Sequence, residues 1–533
     1  MVVYNKYLII GNGVAGIYCA FNIRMRDRKG EITIVTDENY PFYSRPLITD
    51  VMTGKKQADD IVLLPENGYK RYGFTLMKGV QVKKAVFKER CVTTTAGKQR
   101  FDRLVFAAGA VPKKIPFEGE GIFYVRTLED AERIRAYLPK VKKAVVFGGG
   151  PIGIKAAYAL MTAGIPVNII ISSSQMLSRV LDERSSHYLQ VLFEQNGARF
   201  WFNSDIKEIV RRKKGLKGIV TDKGEMVPGD ILIVGKGVNP NLDIVRNAGV
   251  RIDKGILVDD YMETNCEGVY AAGDVAQAKV VTNSNQQSAI SNQPSAGSSL
   301  SLQGAQHHGG LSLRAQRGNL TNRIATAMPR DDSKMLNVEH RTLNVELASP
   351  PFKDVLSLWP VGAEQGKIAG QNMAGGKRVY GGGVGSNSIE YFGLKAISMG
   401  ITRGEGCEAV LFERDGIYRR YLFDGERLVG AILVGDINDA GVLLHAIRQA
   451  LPVRGILQSA ISSQRSAFPF QSLRGAERRG GLSLRAQRGN LTNGLPLPLR
   501  RDCDDNKDSA PRTSEIDSPL SALRSQLSME VLF

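Results

Sequence analysis

Short apolar runs alternate with glycine turns at the start of the chain. The run Tyr7–Ile10 predicts a buried strand, and the mixed segment that begins at Ile17 predicts a helix. A second apolar run, Glu31–Val35, predicts another strand, and the turn Gly11–Gly16 separates the first strand from the helix. A strand, a G-x-G-x-x-G turn, a helix and a second strand form the βαβ unit that binds dinucleotides.

The residue types of this unit fit a phosphate site. Gly11 permits a tight turn, Gly13 lets a pyrophosphate approach the backbone, and Gly16 lets the helix pack on the strand. The amides at the helix N-terminus face the phosphates. Asp37 and Glu38 follow the second strand, where a carboxylate accepts hydrogen bonds from ribose hydroxyls.

The same pattern recurs further along the chain. Lys143–Phe147 predicts a strand, Gly148–Gly153 a glycine turn, Ile154–Thr162 a helix and Pro166–Ile171 a second strand. Two bound dinucleotides in one chain imply electron transfer between them.

The residues after this second unit leave its ligand open. Ser172 stands where an NAD site usually has an acid, and Arg179 follows seven residues later. Arg179 either meets the 2′-phosphate of NADPH or is a solvated surface charge, so the sequence predicts NAD(P) without a preference.

Two further apolar runs end in small residues. Leu104–Ala110 ends at a glycine and alanine, where backbone passes close to a ligand. Tyr270–Asp274 ends at Gly then Asp, which would place the Asp274 carboxylate beside a ligand's polyol chain.

Low-complexity segments interrupt and end the chain. Ser301–Asn322 recurs as Ser472–Asn493, and only two copies occur, so a solenoid is excluded. Val281–Lys353 is interpreted as an insertion and Arg454–Phe533 as a tail, both expected to be disordered. The alternative is an arginine-bearing arm for nucleic acid or an acidic partner, but such arms are usually denser in charge and carry aromatics for stacking, so nucleic acid is not expected.

Composition narrows the class of protein. The 533 residues are 43% hydrophobic and 23% charged, with a formal net charge of +18, as in a basic multidomain globular protein. The five cysteines form no C-x-x-C pair, which fits a reducing compartment and predicts no cysteine-held metal. No apolar run reaches about 18 residues and no leader pattern precedes the first strand, so we expect no membrane span and a cytoplasmic location.

Together these motifs resemble the pyridine nucleotide-disulfide oxidoreductase family in its broad sense. Thr264–Asp274 is similar to the second flavin motif, in which the acid holds the ribityl chain of FAD. Ala107–Ala110 is similar to the A-T-G-A motif, with Ala108 in place of threonine, and Ile233–Asn241 is similar to the return from the NAD(P) domain. Glu364–Gly366 resembles the start of the helix whose amides face the flavin. Pro41–Ile48 resembles the rubredoxin reductase and nitrite reductase large-subunit branch.

The resemblance implies an α/β fold with two Rossmann-like domains, the FAD domain being split around the NAD(P) domain, and a small α+β C-terminal domain. The expected boundaries are 1–115 and then 251–280 with 354–376 for the FAD domain, 116–250 for the NAD(P) domain, 281–353 for the insertion, 377–453 for the C-terminal domain and 454–533 for the tail. The residues expected to bind cofactor are Gly11, Gly13, Val14, Ala15, Gly16, Asp37, Glu38, Arg45, Pro46, Val82, Ala108, Gly109, Gly148, Gly150, Pro151, Ile152, Gly153, Ser172, Arg179, Gly235, Gly237, Gly273, Asp274, Glu364 and Gln365.

Two departures from the family bear on the chemistry. Disulfide reductases carry a redox cysteine in the segment that matches Phe42–Leu47, and this segment contains none. Relatives often have Glu after the second glycine motif, paired with a cation, whereas this chain has Lys155 there and Arg45 in the first domain, so that ion pair cannot form. Arg45 and Lys155 are the candidate catalytic residues, and Lys155 either acts on the flavin or an anionic acceptor or is a plain helix lysine.

The predicted activity is an FAD-dependent NAD(P)H reductase without a redox-active cysteine. Hydride would pass from the nicotinamide to the flavin, and electrons then to a small acidic carrier such as rubredoxin or ferredoxin, which a basic protein attracts. A homodimer is expected. The alternatives are an NAD(P)H oxidase or quinone reductase, and a non-catalytic flavoprotein with a binding role, since the insertion lies between the YAAGD motif and the flavin-facing helix.

Overall fold

The computed structural model describes residues 5–213, 215–246, 248–281, 353–403, 407–414, 416–455 and 457. Both repeat copies, Cys503, most of the predicted insertion and nearly all of the predicted tail lie outside these residues. No helix in the described ranges is both long and apolar enough to cross a bilayer.

The strands and helices follow one another in a mixed α/β order. Residues 5–115 contain β1 (Lys6–Ile10), β2 (Glu31–Val35), β3 (Phe42–Tyr43), β4 (Val62–Leu64), β5 (Phe74–Met77), β6 (Val82–Val86), β7 (Cys91–Thr94), β8 (Gly97–Arg100), β9 (Arg103–Phe106) and β10 (Ala110–Pro112), with helices α1 (Val14–Arg26), α2 (Ile48–Met52) and α3 (Glu66–Arg71). Residues 116–250 contain β11 (Ile122–Tyr124), β12 (Ala144–Phe147), β13 (Val167–Ile171), β14 (Arg199–Phe202), β15 (Ile206–Arg211), β16 (Leu216–Thr221), β17 (Met226–Pro228), β18 (Ile231–Val234) and β19 (Val238–Pro240), with α4 (Leu128–Tyr137), α5 (Pro151–Thr162) and α6 (Glu183–Gln195). The rest contains β20 (Ile256–Leu257), β21 (Val269–Ala271), β22 (Ala276–Lys279), β23 (Lys353–Asp354), β24 (Ser386–Tyr391), β25 (Leu394–Gly400), β26 (Glu408–Arg414), β27 (Ile417–Asp424) and β28 (Arg427–Val434), with α7 (Trp359–Met373) and α8 (Ala440–Arg448).

Two parallel five-stranded sheets confirm the two predicted Rossmann-like units. The first has the strand order β21-β9-β1-β2-β5, so four of its strands precede the second unit in the sequence and its edge strand β21 follows that unit. The second has the order β11-β18-β12-β13-β14. In each sheet the strand before the glycine turn is central and its apolar residues are buried, as parallel sheets covered on both faces require.

Both predicted helices begin earlier than the apolar pattern suggested. α1 starts at Val14, not Ile17, and α5 starts at Pro151, not Ile154. The last residues of each glycine turn already belong to the helix, because Gly13 and Gly150 are the N-cap residues in extended conformation. In α5, a proline at the first helical position has the φ value that the helix needs.

Close contact between α1 and α7 joins the two halves of the first unit. A Cβ on Gly366 would lie 2.1 Å from the Ala15 carbonyl oxygen, and a Cβ on Gly370 would lie 2.3 Å from that of Cys19. Only glycine allows this approach, so the helices pack backbone to backbone over the sheet.

The C-terminal unit is an antiparallel sheet of order β24-β25-β28-β27-β26 with α8 packed on it. The alternating runs Ala409–Phe412, Arg419–Phe423 and Leu428–Val434 predict β26, β27 and β28 within a few residues, and the segment Asp439–Gln449 predicts α8. No pattern predicted β24 and β25. β24 reads Ser-Asn-Ser-Ile-Glu-Tyr and is a partly exposed edge strand, so it lacks a strong apolar pattern. This sheet shares a core with α5 and α6, and Arg420 Nη1 lies 3.0 Å from Asp182 Oδ2 at the N-cap of α6.

The two ends of the predicted insertion meet in one small sheet. β22 and β23 are antiparallel, with Lys279 paired to Lys353, and the Val281 amide donates to the Gly383 carbonyl oxygen at 2.9 Å. Lys353 therefore belongs to the folded body rather than to the insertion.

Replacing residues 282–352 with a hairpin loop of about four Gly and Ser residues is expected to leave flavin content unchanged. The free energy of unfolding should rise by up to about 2.5 kcal/mol, because the flanking strands already pair and the loop is shortened by roughly four halvings, each of which lowers the entropic cost of closure by about 0.6 kcal/mol. Flavin absorbance per protein and a urea titration measure both. A shortened chain that folds but no longer retains FAD would contradict a passive insertion, and a deletion extended through Asp354, which removes β23, is the control expected to fail.

Candidate functional site

The first glycine turn is held against the end of the neighbouring strand β9. Gly11 has φ +114°, and a Cβ there would lie 2.1 Å from the Ala107 carbonyl oxygen. A Cβ on Gly16 would lie 2.0 Å from the Gly11 carbonyl oxygen. At Gly13, by contrast, a Cβ would meet no described atom within 4 Å. The N-terminus of α1 therefore opens onto free space, as a pyrophosphate site requires.

The second glycine turn repeats this geometry. Gly148 has φ +127°, and its Cβ would lie 2.3 Å from the Gly235 carbonyl oxygen. A Cβ on Gly153 would lie 2.0 Å from the Gly148 carbonyl oxygen, whereas one on Gly150 would meet no described atom within 4 Å. The two turns therefore agree position by position in the geometry that a dinucleotide site requires.

A cleft opens beside the first turn. Its lining combines turn residues, aromatic rings and charged side chains: Asn12, Gly13, Thr36, Glu38, Tyr40, Pro41, Tyr43, Arg45 and Trp359. The rings of Phe42 and Trp359 stack behind it with centroids 5.7 Å apart. Three predicted residues, Gly13, Glu38 and Arg45, thus meet in one place.

Glu38 and Arg45 form an ion pair inside this cleft. Arg45 Nη2 lies 2.7 Å from Glu38 Oε1, and the Tyr43 hydroxyl donates to Glu38 Oε2 at 2.6 Å. Burial raises the pKa of Tyr43, so the phenol stays protonated as the donor. Asp37 is exposed at the end of β2. Both predicted acids thus lie just after β2, where a ribose acceptor is expected, and Glu38 is the one that lines the cleft.

Asp274 faces a residue that the sequence analysis missed. Arg126 Nη2 lies 2.9 Å from Asp274 Oδ2, with the side chains 20% and 19% exposed. A Cβ on Gly109 would lie 3.3 Å from the same guanidinium nitrogen, so the two strand-end motifs converge here. The partners are 148 residues apart, and nothing in a single sequence signals the pair.

The prediction that Glu364–Gly366 starts the flavin-facing helix is wrong. α7 begins at Trp359, where Pro360 favours a first turn, so Glu364 and Gln365 lie one turn further in. Gln365 Oε1 accepts a hydrogen bond from the Gly273 amide at 2.8 Å, and Glu364 pairs with Arg448 at 3.7 Å. Gln365 therefore supports the YAAGD loop from behind.

Lys155 connects the two nucleotide units. Its Nζ donates to the Pro46 carbonyl oxygen at 2.7 Å, in the short helical turn Arg45–Leu47. Burial lowers the pKa of Lys155. The side chain thus fixes the Arg45 segment to α5, and Arg45 itself pairs with Glu38 rather than with a residue of α5.

Ser172 directly follows β13 at the carboxyl edge of the second sheet. Lys236 Nζ lies 2.6 Å from Ser172 Oγ, and the Ser172 hydroxyl donates to Asp205 Oδ2 at 3.1 Å. Arg179 is exposed on the loop after Ser172. Lys236 and Asp205 were not singled out from the sequence.

The other predicted cofactor residues lie around these centres. Val14 and Ala15 pack against the glycines of α7 and the YAAGD loop, since a Cβ on Gly362 would lie 3.1 Å from Val14 and one on Gly273 3.0 Å from Ala15. Ile152 is exposed at the start of α5 and Val82 packs on the core of the first unit. The remaining three lie on the turns described above, namely Ala108 beside Gly11, Pro151 at the start of α5 and Gly237, with φ +87°, after Gly235.

The cysteine nearest to these residues is closed to solvent. Cys19 lies in α1, is buried, and its thiol contacts Met373 Sδ at 3.5 Å. Burial raises its pKa, so the reactive thiolate is disfavoured.

The pyridine nucleotide-disulphide oxidoreductase family model matches residues 5–296. The chain belongs to this family. A second model, the rubredoxin NAD+ reductase C-terminal domain, matches residues 386–451, which are the antiparallel sheet and α8. The family and the branch that the motifs predicted are both confirmed, and with them the predicted cofactors, FAD and NAD(P)H.

Individual relatives are more distant. The chain is 25% identical over 481 residues to the assimilatory nitrate reductase electron transfer subunit of Bacillus subtilis, covering 89% of this chain and 53% of the relative. It spans about half the length of the Bacillus subtilis relatives it matches. It is also 32% identical to the ferredoxin–NAD(+) reductase component of the p-cumate 2,3-dioxygenase system of Pseudomonas putida, covering 51% of this chain and 68% of the relative.

Solved structures support the fold. The reductase chain in the covalent putidaredoxin reductase–putidaredoxin complex superposes with a TM-score of 0.68 at 20% identity, covering 88% of this chain and all of the other. The predicted architecture of two Rossmann-like units with a small C-terminal unit is confirmed.

Proposed function

We propose that this protein is an NAD(P)H-dependent flavoprotein reductase that takes hydride from a nicotinamide and passes electrons to a separate acceptor. The observation that carries the proposal is the pair of matching glycine turns, one in each parallel sheet, in a chain that belongs to a family using FAD and NAD(P)H. Lys155 joins the two units directly, as transfer between two bound cofactors requires.

The residues of the first unit fit FAD. Its pyrophosphate would lie at the N-terminus of α1 beside Gly13, and a ribose beside Asp37 and Glu38. Asp274, held by Arg126, would meet the polyol chain. When bound, the flavin supplies a two-electron acceptor that can release single electrons. Arg45, paired with Glu38, and Lys155, bonded to the Pro46 carbonyl oxygen, would supply positive charge that stabilises negative charge on a flavin bound nearby.

The proposed acceptor is a small acidic electron carrier, rubredoxin or ferredoxin. Support comes from the C-terminal domain match, from the relative named as a ferredoxin–NAD(+) reductase component, and from the net charge of +18. A positive surface speeds encounter with an acidic partner. We further propose a homodimer, a cytoplasmic location and a mechanism without a redox-active cysteine, the last because the segment that matches the reactive cysteine of disulfide reductases contains none.

The test begins with an anaerobic visible spectrum of the purified protein before and after addition of NADH and then NADPH. A flavin spectrum that bleaches is the expected result. A preparation that is colourless and cannot be reconstituted with FAD would contradict the proposal and favour the non-catalytic alternative.

The acceptor is tested separately. Added rubredoxin or ferredoxin is expected to raise NAD(P)H consumption at least ~10-fold at low salt, with the gain falling as ionic strength rises. If neither carrier raises the rate above that in air or with a quinone, the acceptor proposal fails and an oxidase or quinone reductase is favoured.

A further inference from the structure

The adenosine end of the second unit lacks a carboxylate at its usual place. In a Rossmann unit the residue after the second strand meets the ribose next to the adenine, and an acid there accepts both hydroxyls of NADH. Ser172 occupies this position directly after β13, and it is exposed. A serine hydroxyl carries one donor hydrogen and no charge, so neighbouring side chains must determine which nucleotide fits.

A lysine from another strand reaches this position. Lys236 follows β18, and β12 lies between β18 and β13 in the sheet. Its side chain crosses the carboxyl edge of the sheet, with Nζ 4.2 Å from the centroid of the Phe147 ring and 2.6 Å from Ser172 Oγ. The side chain is only 28% exposed. The aromatic ring thus supports the ammonium group and directs it at the ribose position.

One carboxylate competes for this lysine. Asp205 Oδ2 lies 3.7 Å from Lys236 Nζ and accepts the Ser172 hydroxyl hydrogen bond, while Oδ1 accepts from the Ile206 amide at 3.1 Å. Asp205 is 55% exposed, so its ion pair with Lys236 is screened by water. A phosphate carries up to two negative charges and three acceptor oxygens, and it outcompetes such a carboxylate for the ammonium group.

We infer that Lys236 and Ser172 recognise the 2′-phosphate of NADPH, and that this phosphate displaces Asp205 from the lysine. Arg179, exposed on the loop after Ser172, is the candidate for a second cation at the same phosphate. The inference rests on the proposed function and makes NADPH the preferred donor. A ribose without the phosphate gains nothing from either cation.

The test measures binding of nucleotide fragments by calorimetry, so it does not depend on turnover. The full-length wild-type chain is expected to bind 2′,5′-ADP at least ~10-fold more tightly than 5′-AMP. Lys236→Gln should weaken the binding of 2′,5′-ADP by ~10-fold or more and the binding of 5′-AMP by less than ~2-fold. Lys223→Gln is the matched control, because the Lys223 ammonium group contacts only the Phe202 carbonyl oxygen among the described contacts, at 3.0 Å, and both affinities should stay unchanged.

A second variant keeps the inference open to refutation. Asp205→Asn removes the competing carboxylate and should increase the affinity for 2′,5′-ADP. If wild type instead binds 5′-AMP as tightly as 2′,5′-ADP and Asp205→Asn weakens 5′-AMP, Asp205 is the ribose acceptor and the inference is wrong. Anaerobic bleaching by NADH with no effect of Lys236→Gln would likewise overturn the NADPH preference while leaving the reductase proposal intact. Phosphate-dependent fragment binding without any bleaching would overturn the reductase proposal alone.

Discussion

Replacing Gly11 with alanine is expected to lower the free energy of unfolding by about 3 kcal/mol or more and to abolish flavin binding. The added Cβ would lie 2.1 Å from the Ala107 carbonyl oxygen, in a residue whose φ of +114° already disfavours a side chain. Neither atom can move freely, because Ala107 directly follows β9, which lies between β21 and β1 in the parallel sheet, and its amide donates to the Ile10 carbonyl oxygen at 2.7 Å. Urea unfolding and flavin absorbance per protein measure the two effects.

Gly97→Ala is the matched control for this change. Gly97 has φ +105°, close to that of Gly11, but its Cβ would meet no described atom within 4 Å. It should therefore cost only the conformational penalty, about 1 kcal/mol, and leave flavin content unchanged. Equal destabilisation by the two substitutions would show that the cost of replacing Gly11 comes from its backbone conformation rather than from contact with Ala107.

Gly13→Val separates ligand contact from folding. A Cβ on Gly13 meets open space, so the variant is expected to fold with near wild-type stability. The same space is where the proposed pyrophosphate lies, so flavin retention should fall sharply. A Gly13→Val protein with full flavin content would place the cofactor elsewhere.

Local patterns in the sequence predict the elements of the fold but place some of their ends wrongly. Glycine spacing and apolar periodicity are local signals, and they located both Rossmann-like units and most of the C-terminal strands. The same signals placed the helix starts three residues late, because turn residues such as Val14 and Pro151 are already helical. The family resemblance misplaced the start of α7, where the local signal is Pro360 rather than Glu364.

Contacts between distant segments are the part that could not be predicted. Arg126 and Asp274 are paired across 148 residues, and Lys236 reaches Ser172 across 64. Each side chain looks ordinary in its own segment, and only the strand order brings them together. Asp274 was found because a strand and a glycine precede it, whereas Arg126 precedes a helix cap and has no such pattern.

Replacing Asp274 with alanine is expected to weaken FAD binding at least ~100-fold. The substitution removes the proposed acceptor for the polyol chain and leaves the guanidinium of Arg126, which is 20% exposed, without this ion-pair partner. Loss of a hydrogen bond to a charged group and an uncompensated cation together cost about 3 kcal/mol, which corresponds to ~100-fold in affinity. Quenching of flavin fluorescence on titration of the apoprotein gives the dissociation constant.

Arg126→Met then decides what the carboxylate does. Asp274 serves only to hold Arg126 if three variants bind FAD with equally reduced affinity: Asp274→Ala, Arg126→Met and the double variant. Each of them removes the same shared interaction. If Asp274 contacts the cofactor itself, Asp274→Ala should cost more than Arg126→Met, and Asp274→Asn, which keeps the shape and one acceptor oxygen, should recover part of the loss. We expect the second pattern. Gln365 fixes the backbone of the loop that ends at Asp274, and Arg126 fixes the Asp274 carboxylate. Such support positions an acceptor for a ligand rather than stabilising the fold alone.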